Sequence, residues 1–180
     1  GPNGAGKTTT ISMVSGLLKP DAGEIIVAGT PFWSDPQKAK RIMGVVPQEL
    51  AIYEELTGRE NLEFWGRMAG LSSGDAKARA TEVLEALTLT DRAKDTVKTY
   101  SGGMKRRINL GCALLHRPDL LLLDLGLPPD PASPAEGLAL IAAILRQDPA
   151  IRVIALSGQP APEQAASAVG HGACDFLAKP

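Results

Sequence analysis

The first nine residues carry the groups that a phosphate-binding loop requires. Gly1, Gly6, Lys7 and Thr8 satisfy the pattern G-x-x-x-x-G-K-[ST]. Glycines let such a loop turn its backbone N–H groups onto phosphate oxygens, while the lysine reaches the β- and γ-phosphates and the hydroxyl ligates Mg²⁺. The pattern therefore predicts a nucleoside triphosphate ligand. The predicted binding residues are Gly1, Pro2, Asn3, Gly4, Ala5, Gly6, Lys7, Thr8 and Thr9.

Such a loop works only where neighbouring elements hold it in place. Residues 7–18 are predicted to form a helix that presents its N-terminus to the anion, and Pro20 ends it. A strand is expected to lead into the loop, yet nothing precedes Gly1. We therefore expect the chain to begin inside a domain, truncated at the N-terminus.

Three further stretches carry polar groups at the ends of predicted elements. Gln48 follows the apolar run 42–46 and a proline, and Asp124 ends a run of four leucines. Ser101-Gly102-Gly103-Met104 precedes a predicted helix, where backbone N–H groups can bind an anion. Each has a plainer alternative, because Ser101–Gly103 also suits a helix N-cap with flexible glycines, and Gln48 a solvated loop.

Alternating strands and helices predict an α/β fold built on a three-layer, mostly parallel sheet. Residues from about 57 to 105 form a predicted helical lobe inserted into it. The predicted strands are 23–28, 42–46, 120–123, 151–156 and 174–177, and the predicted helices are 7–18, 36–41, 59–68, 75–87, 102–116, 135–146 and 162–169.

Composition limits the class of protein. With 44% hydrophobic and 22% charged residues and a net charge of −1, the chain is typical of a globular domain and offers no electrostatic case for binding nucleic acid or an anionic membrane. No apolar run could span a bilayer, so any membrane link is expected through a partner. Cys112 and Cys174 form no disulfide framework and suit a reducing compartment.

The composition also changes along the chain. Residues 1–119 hold 30 of the 39 charged residues, and residues 120–180 hold 8 of the 14 prolines. This change predicts two sequence origins joined near residue 120.

In their order and spacing, the opening loop, Gln48, Ser101–Gly103 and Asp124 resemble the ATP-binding subunit of an ABC transporter, from residue 1 to about 124. The resemblance implies a P-loop NTPase-like fold and hydrolysis of Mg·ATP coupled to transport. It implies that Thr8, Gln48 and Asp124 form the metal site, with Asp124 acting through water and Gln48 also sensing the attacking water.

The same resemblance implies partners. Residues Ser101–Met104 would bind the γ-phosphate held by a second protomer, so a homodimer is expected. A transmembrane transporter subunit would place the protein in the cytoplasm at the inner face of the membrane. The family also has a glutamate as general base directly after the strand aspartate, whereas this chain has Leu125. We therefore expect impaired hydrolysis.

From about residue 121 to 180 the chain is similar to the second half of a response-regulator receiver domain. The resemblance implies a phospho-acceptor Asp124, assisted by a hydroxyl at Ser157 and an ammonium at Lys179. No predicted strand ends in the acidic pair that a receiver uses for Mg²⁺. On this division residues 1–124 are the ABC-type domain and residues 125–180 a receiver-like βαβ half that completes the sheet. A phospho-accepting signalling domain and a non-functional chimeric fragment remain as alternatives.

Overall fold

The computed structural model describes residues 7–125, 135–157 and 162–178. Most predicted elements are confirmed to within one or two residues. The strands are β1 Ile26–Val27, β2 Thr30–Pro31, β3 Met43–Val46, β4 Leu120–Asp124, β5 Arg152–Ser157 and β6 Asp175–Ala178. The α-helices are α1 Lys7–Val14, α2 Pro36–Ile42, α3 Gly58–Met68, α4 Ser73–Ala86, α5 Gly102–Leu114, α6 Ala135–Gln147 and α7 Pro162–Gly170.

Two compact units make up the fold. The sheet unit comprises Gly1–Val45 with Asp119–Pro180, and the helical unit comprises Val46–Pro118. Strands β3 to β6 follow one another across a four-stranded sheet, and both β4–β5 and β5–β6 pair in parallel. The predicted α/β fold with a parallel sheet is therefore confirmed.

Burial explains why β4 forms at this place. Leu121, Leu122 and Leu123 are all buried, although successive side chains of a strand point to opposite faces. A continuous apolar run of this kind is typical of a parallel strand covered on both sides. The same holds for much of β5, whose neighbouring residues Ala155 and Leu156 are both buried. The ladder aligns Asp124 with Leu156, so both strands end at one edge of the sheet.

The first predicted strand is shorter than expected. Ile26–Val27 pairs antiparallel with Thr30–Pro31 in a separate two-stranded sheet. The two loop residues, Ala28 and Gly29, have φ of 47° and 76°, as a tight hairpin turn requires. The turn therefore ends the strand at Val27.

The helical unit packs α3, α4 and α5 around one apolar cluster that includes Leu62, Leu84 and Ile108. Gly111 allows α5 to approach its neighbours closely, because a Cβ there would lie 2.8 Å from side-chain atoms of Leu87 and Val83. Between α4 and α5 the chain forms two short 3₁₀ helices, Thr90–Arg92 and Val97–Thr99, which the apolar spacing did not predict.

Within these described residues, no helix combines the length and the apolar character needed to cross a membrane.

Candidate functional site

The predicted phosphate-binding loop lies mostly outside the described residues, which begin after Gly6. α1 starts at Lys7, so a helix directly follows the glycine-rich stretch, as the motif predicts. No acidic residue lies in its first turn to compete with an anion at the helix N-terminus. Thr8 belongs to the first turn of α1, and Thr9 is exposed.

α1 ends earlier than the predicted Leu18. The chain turns at Gly16, which has φ of 72°, and the N–H groups of Leu17 and Leu18 both donate to the Ser12 carbonyl, at 2.7 and 3.0 Å. A Cβ at Gly16 would lie 2.2 Å from Phe32 Cζ. Both the left-handed backbone and the close aromatic ring therefore favour glycine at this helix end.

Asp124 and Leu125 lie at the carboxyl end of β4, where the sequence places metal-site chemistry. Asp124 is 5% exposed and Leu125 is 1% exposed. The Leu125 N–H donates to the Leu156 carbonyl at 2.8 Å, which extends the ladder past the end of the strand. α6 closes over this position, because a Cβ at Gly137 would lie only 2.9 Å from Leu125 Cα. The residue after Asp124 is therefore apolar and buried.

Ser157 occupies the equivalent end of the neighbouring strand β5. It is 5% exposed, and its hydroxyl donates to Gln164 Oε1 on α7 at 2.7 Å. Since β4 and β5 are parallel neighbours, Asp124 and Ser157 lie at the same edge of the sheet. Lys179, the third predicted member of this phospho-acceptor group, lies outside the described residues.

Gln48 is exposed and lies two residues beyond β3. The chain that follows it is held by a fully buried amide that the sequence analysis did not single out. Asn61 on α3 accepts from the Tyr53 N–H at 2.8 Å and donates to the Tyr53 and Thr57 carbonyls at 2.8 and 3.0 Å. The signal for it is an asparagine directly before the core residue Leu62.

A second buried amide holds the same stretch from α5. Asn109 is 4% exposed, and its Oδ1 accepts from the Ala51 N–H at 2.9 Å. It lies between Ile108 and Leu110, both buried. A polar residue inside an apolar helical run is again the only signal that the sequence offers.

Ser101–Gly103 form an exposed helix N-terminus. The Ser101 hydroxyl accepts from the Met104 N–H at 3.3 Å and so caps α5. Cβ atoms added to Gly102 and Gly103 would meet nothing within 4 Å, whereas Met104 packs partly against the core of the unit. The N-cap interpretation is confirmed, and the glycines leave open space beside the helix end.

A buried tyrosine anchors this exposed end. Tyr100 is 5% exposed, and its hydroxyl donates to the Arg92 carbonyl at 2.6 Å. Burial, with the nearby Asp95 carboxylate, raises the pKa of Tyr100 above its ordinary value. A Cβ at Gly58 would lie 2.3 Å from the tyrosine hydroxyl, so α3 needs a glycine at its start.

The structure therefore assembles the predicted residues in two groups. Asp124 and Ser157 share an edge of the sheet unit, while Gln48 and Ser101–Gly103 belong to the helical unit. Among residues 7–125, 135–157 and 162–178, no cluster of three or more His, Cys, Asp or Glu side chains could hold a metal ion.

Comparison with known families shows which family the chain belongs to. The sequence model of the family described as ABC transporter matches residues 1–125. This chain belongs to the ABC transporter family. A second model, the response regulator receiver domain, matches residues 109–180 and overlaps the ABC match at residues 109–125.

Curated relatives agree with the ABC assignment over the same stretch. The linearmycin resistance ATP-binding protein LnrL of Bacillus subtilis is 60% identical over 124 residues, 69% of this chain and 40% of that protein. The doxorubicin resistance ATP-binding protein DrrA of Mycobacterium tuberculosis is 45% identical, and the Nod factor export ATP-binding protein I of Burkholderia lata is 47% identical, each over 124 residues, 69% of this chain, and 38% and 41% of those proteins. The chain thus spans about two fifths of the length of these relatives.

Solved ABC structures share the fold. The ATP binding subunit of an ABC transporter matches 99% of this chain and 71% of its own length, with a TM-score of 0.71 and 28% identity. The cbiO1 subunit from Clostridium perfringens matches 87% of this chain and 64% of its own, with a TM-score of 0.70; at 23% identity this likeness concerns the fold alone.

Proposed function

We propose that this chain is the Mg·ATP-binding domain of an ABC-type transporter and that its ATP hydrolysis is impaired. The observation that carries the proposal is that Lys7 and Thr8, the last two residues of a complete G-x-x-x-x-G-K-T motif, lie in helix α1, in a member of this family. A helix N-terminus behind a glycine-rich loop supplies N–H donors and a favourable dipole to phosphates. The relatives' names, resistance ATP-binding proteins and an export ATP-binding protein, favour an exporter.

The residues available fit this ligand chemically. Lys7 would neutralise the β- and γ-phosphates, and the backbone of Gly1–Gly6 would donate to their oxygens. Thr8, Gln48 and Asp124 offer hydroxyl, amide and carboxylate oxygens, the hard ligands that Mg²⁺ prefers. The metal would supply charge neutralisation at the phosphates when bound.

Impaired hydrolysis follows from Leu125. General-base catalysis contributes roughly 10²–10⁴-fold to rate, and an aliphatic side chain cannot accept the proton of an attacking water. Burial of Leu125 at 1% exposure, beneath the α6 backbone, supports a packing role for this residue instead.

The proposal extends to partners. The exposed N-terminus of α5, residues Ser101–Met104, would bind the terminal phosphate held by a second copy of the chain, so the nucleotide-bound species is a homodimer. A transmembrane subunit would hold this dimer at the cytoplasmic face of the membrane.

Calorimetric titration with Mg·ATP tests the proposal. Lys7→Ala should weaken binding by about 2–3 kcal/mol, since a charge-assisted hydrogen bond is lost. Lys38→Ala is the matched control, because Lys38 is an exposed lysine of the same unit on α2. Equal affinities of wild type and Lys7→Ala would refute nucleotide binding by this loop.

A second candidate is a phospho-accepting domain using Asp124, Ser157 and Lys179. The receiver match and the shared strand edge of Asp124 and Ser157 favour it. The Ser157 hydroxyl, however, already donates to Gln164. Intact-mass analysis after incubation with acetyl phosphate and Mg²⁺ decides this point, because only this candidate yields a phosphate adduct that Asp124→Asn abolishes. A chain with neither adduct nor ATP binding would be a non-functional chimera.

A further inference from the structure

The stretch after Gln48 is tied to both sides of the α5 N-terminus. We name residues Ala51–Thr57 the bridge segment. At its far end the Val97 N–H donates to the Leu56 carbonyl and the Lys98 N–H to the Glu54 carbonyl, both at 2.9 Å. Val97 and Lys98 belong to the 3₁₀ helix that leads directly into Tyr100 and Ser101. This end of the segment is therefore hydrogen-bonded to the residues that directly precede the exposed helix N-terminus.

Its near end is held differently. Ala51, three residues after Gln48, donates its N–H to Asn109 Oδ1, two turns into α5. Between the two ends, the Glu54 carboxylate pairs with the Lys105 ammonium in the first turns of α5. The Lys105 pair is partly exposed and contributes little, whereas the Asn109 amide is buried and bonds a backbone group.

We propose that Asn109 is a positioning residue that couples Gln48 to the exposed Ser101–Gly103 end of α5. It holds the chain after Gln48 on α5, so a displacement of either stretch is carried to the other. The inference rests on the proposed function for the roles of these two stretches. The coupling itself is a property of contacts within the helical unit and exists without nucleotide.

Hydrogen exchange of the nucleotide-free protein tests the coupling. Asn109→Ala removes the acceptor, and exchange of the Ala51 amide should rise about tenfold, the effect of losing one hydrogen bond. The Met104 and Lys105 amides at the start of α5 should also exchange faster, because the backbone bonds from the Val97 and Lys98 N–H groups to the bridge segment loosen with it. A rise confined to Ala51 overturns the proposal.

A variant of the donor residue, Ala51, distinguishes loss of the hydrogen bond from a folding defect in α5. Ala51→Pro removes the donating N–H at an exposed position and leaves the helix unchanged. It should accelerate exchange at Met104 and Lys105 as Asn109→Ala does. Unchanged exchange at those amides overturns the proposal.

Sedimentation with Mg·ATP gives the functional readout. Asn109→Ala should weaken nucleotide-driven dimerisation by about tenfold and monomer affinity for Mg·ATP by less, since Gln48 is the one proposed nucleotide- or metal-site residue that Asn109 positions. Equal loss of affinity and dimerisation overturns the positioning role. A wild type that binds no Mg·ATP refutes the proposed function, while the exchange experiment still decides the coupling.

Discussion

The two units of this molecule are each stabilised internally by different interactions. In the helical unit, polar side chains hydrogen-bond to backbone groups of other segments: the buried Asn61 and Asn109 hold the segment after Gln48, and the half-buried Arg79 donates to the carbonyls of Leu114 and Leu115, both at 3.1 Å. In the sheet unit, a parallel ladder and continuous apolar burial hold β4 and β5. Loop geometry in the helical unit therefore depends on particular residues, whereas the sheet depends on a pattern.

This contrast explains the part of the overlap between the two family patterns that lies in the sheet unit, residues 119–125. A parallel strand needs an apolar run, a partner ladder and covering helices, and its backbone bonds are independent of side-chain identity. Different families can satisfy those conditions with the same strand. The amide contacts of the helical unit leave no such freedom, because each needs a donor or acceptor at one position.

The comparison predicts that a polar group introduced into the sheet unit is the most damaging change. Leu125→Glu would bury a carboxylate without a countercharge at a position only 1% exposed, and it should lower the free energy of unfolding by about 3–5 kcal/mol. Leu125→Met, which conserves volume, should cost less than about 1.5 kcal/mol. Urea denaturation measures both. A Leu125→Glu protein as stable as wild type would mean that α6 does not close this position.

The reverse exchange tests the helical unit. Asn61→Leu should lower the free energy of unfolding by about 2–3 kcal/mol, because it leaves the Tyr53 N–H without its acceptor and removes one of the donors to the Tyr53 and Thr57 carbonyls. Arg67→Leu, an exposed change on the same helix, should stay within about 0.5 kcal/mol of wild type. If both leucine variants unfold at the same urea concentration, the buried amide contributes nothing.

The smallest effect concerns the two cysteines, one in each unit. Burial raises the pKa of Cys112 to about 12, so its thiolate is nearly absent at pH 8, whereas Cys174 is exposed. Iodoacetamide should modify Cys174 in the native protein and Cys112 only after denaturation, as peptide mass analysis would reveal. Equal labelling of both thiols in the native protein would show that the helical unit opens readily.

Sequence patterns predicted the elements well where one physical signal dominated. The bounds of α6, α7 and β5 follow from apolar runs that prolines and polar residues interrupt, and the observed bounds lie within about two residues of the prediction. The prediction was wrong for the length of β1, because the positive φ at Ala28 depends on pairing with β2. In the site, the common strand edge of Asp124 and Ser157 follows from parallel topology alone.

By itself, the sequence determined the chemistry available to this protein: a glycine-rich motif running into a helix, oxygen ligands at Gln48 and Asp124, and no proton acceptor at Leu125. Only the tertiary structure decided which buried amides hold which backbone groups, and that α6 closes over Leu125. The reason is separation along the chain. The Ala51 N–H and its acceptor on Asn109 are 58 residues apart, and no local propensity specifies such a pair before the helices have packed.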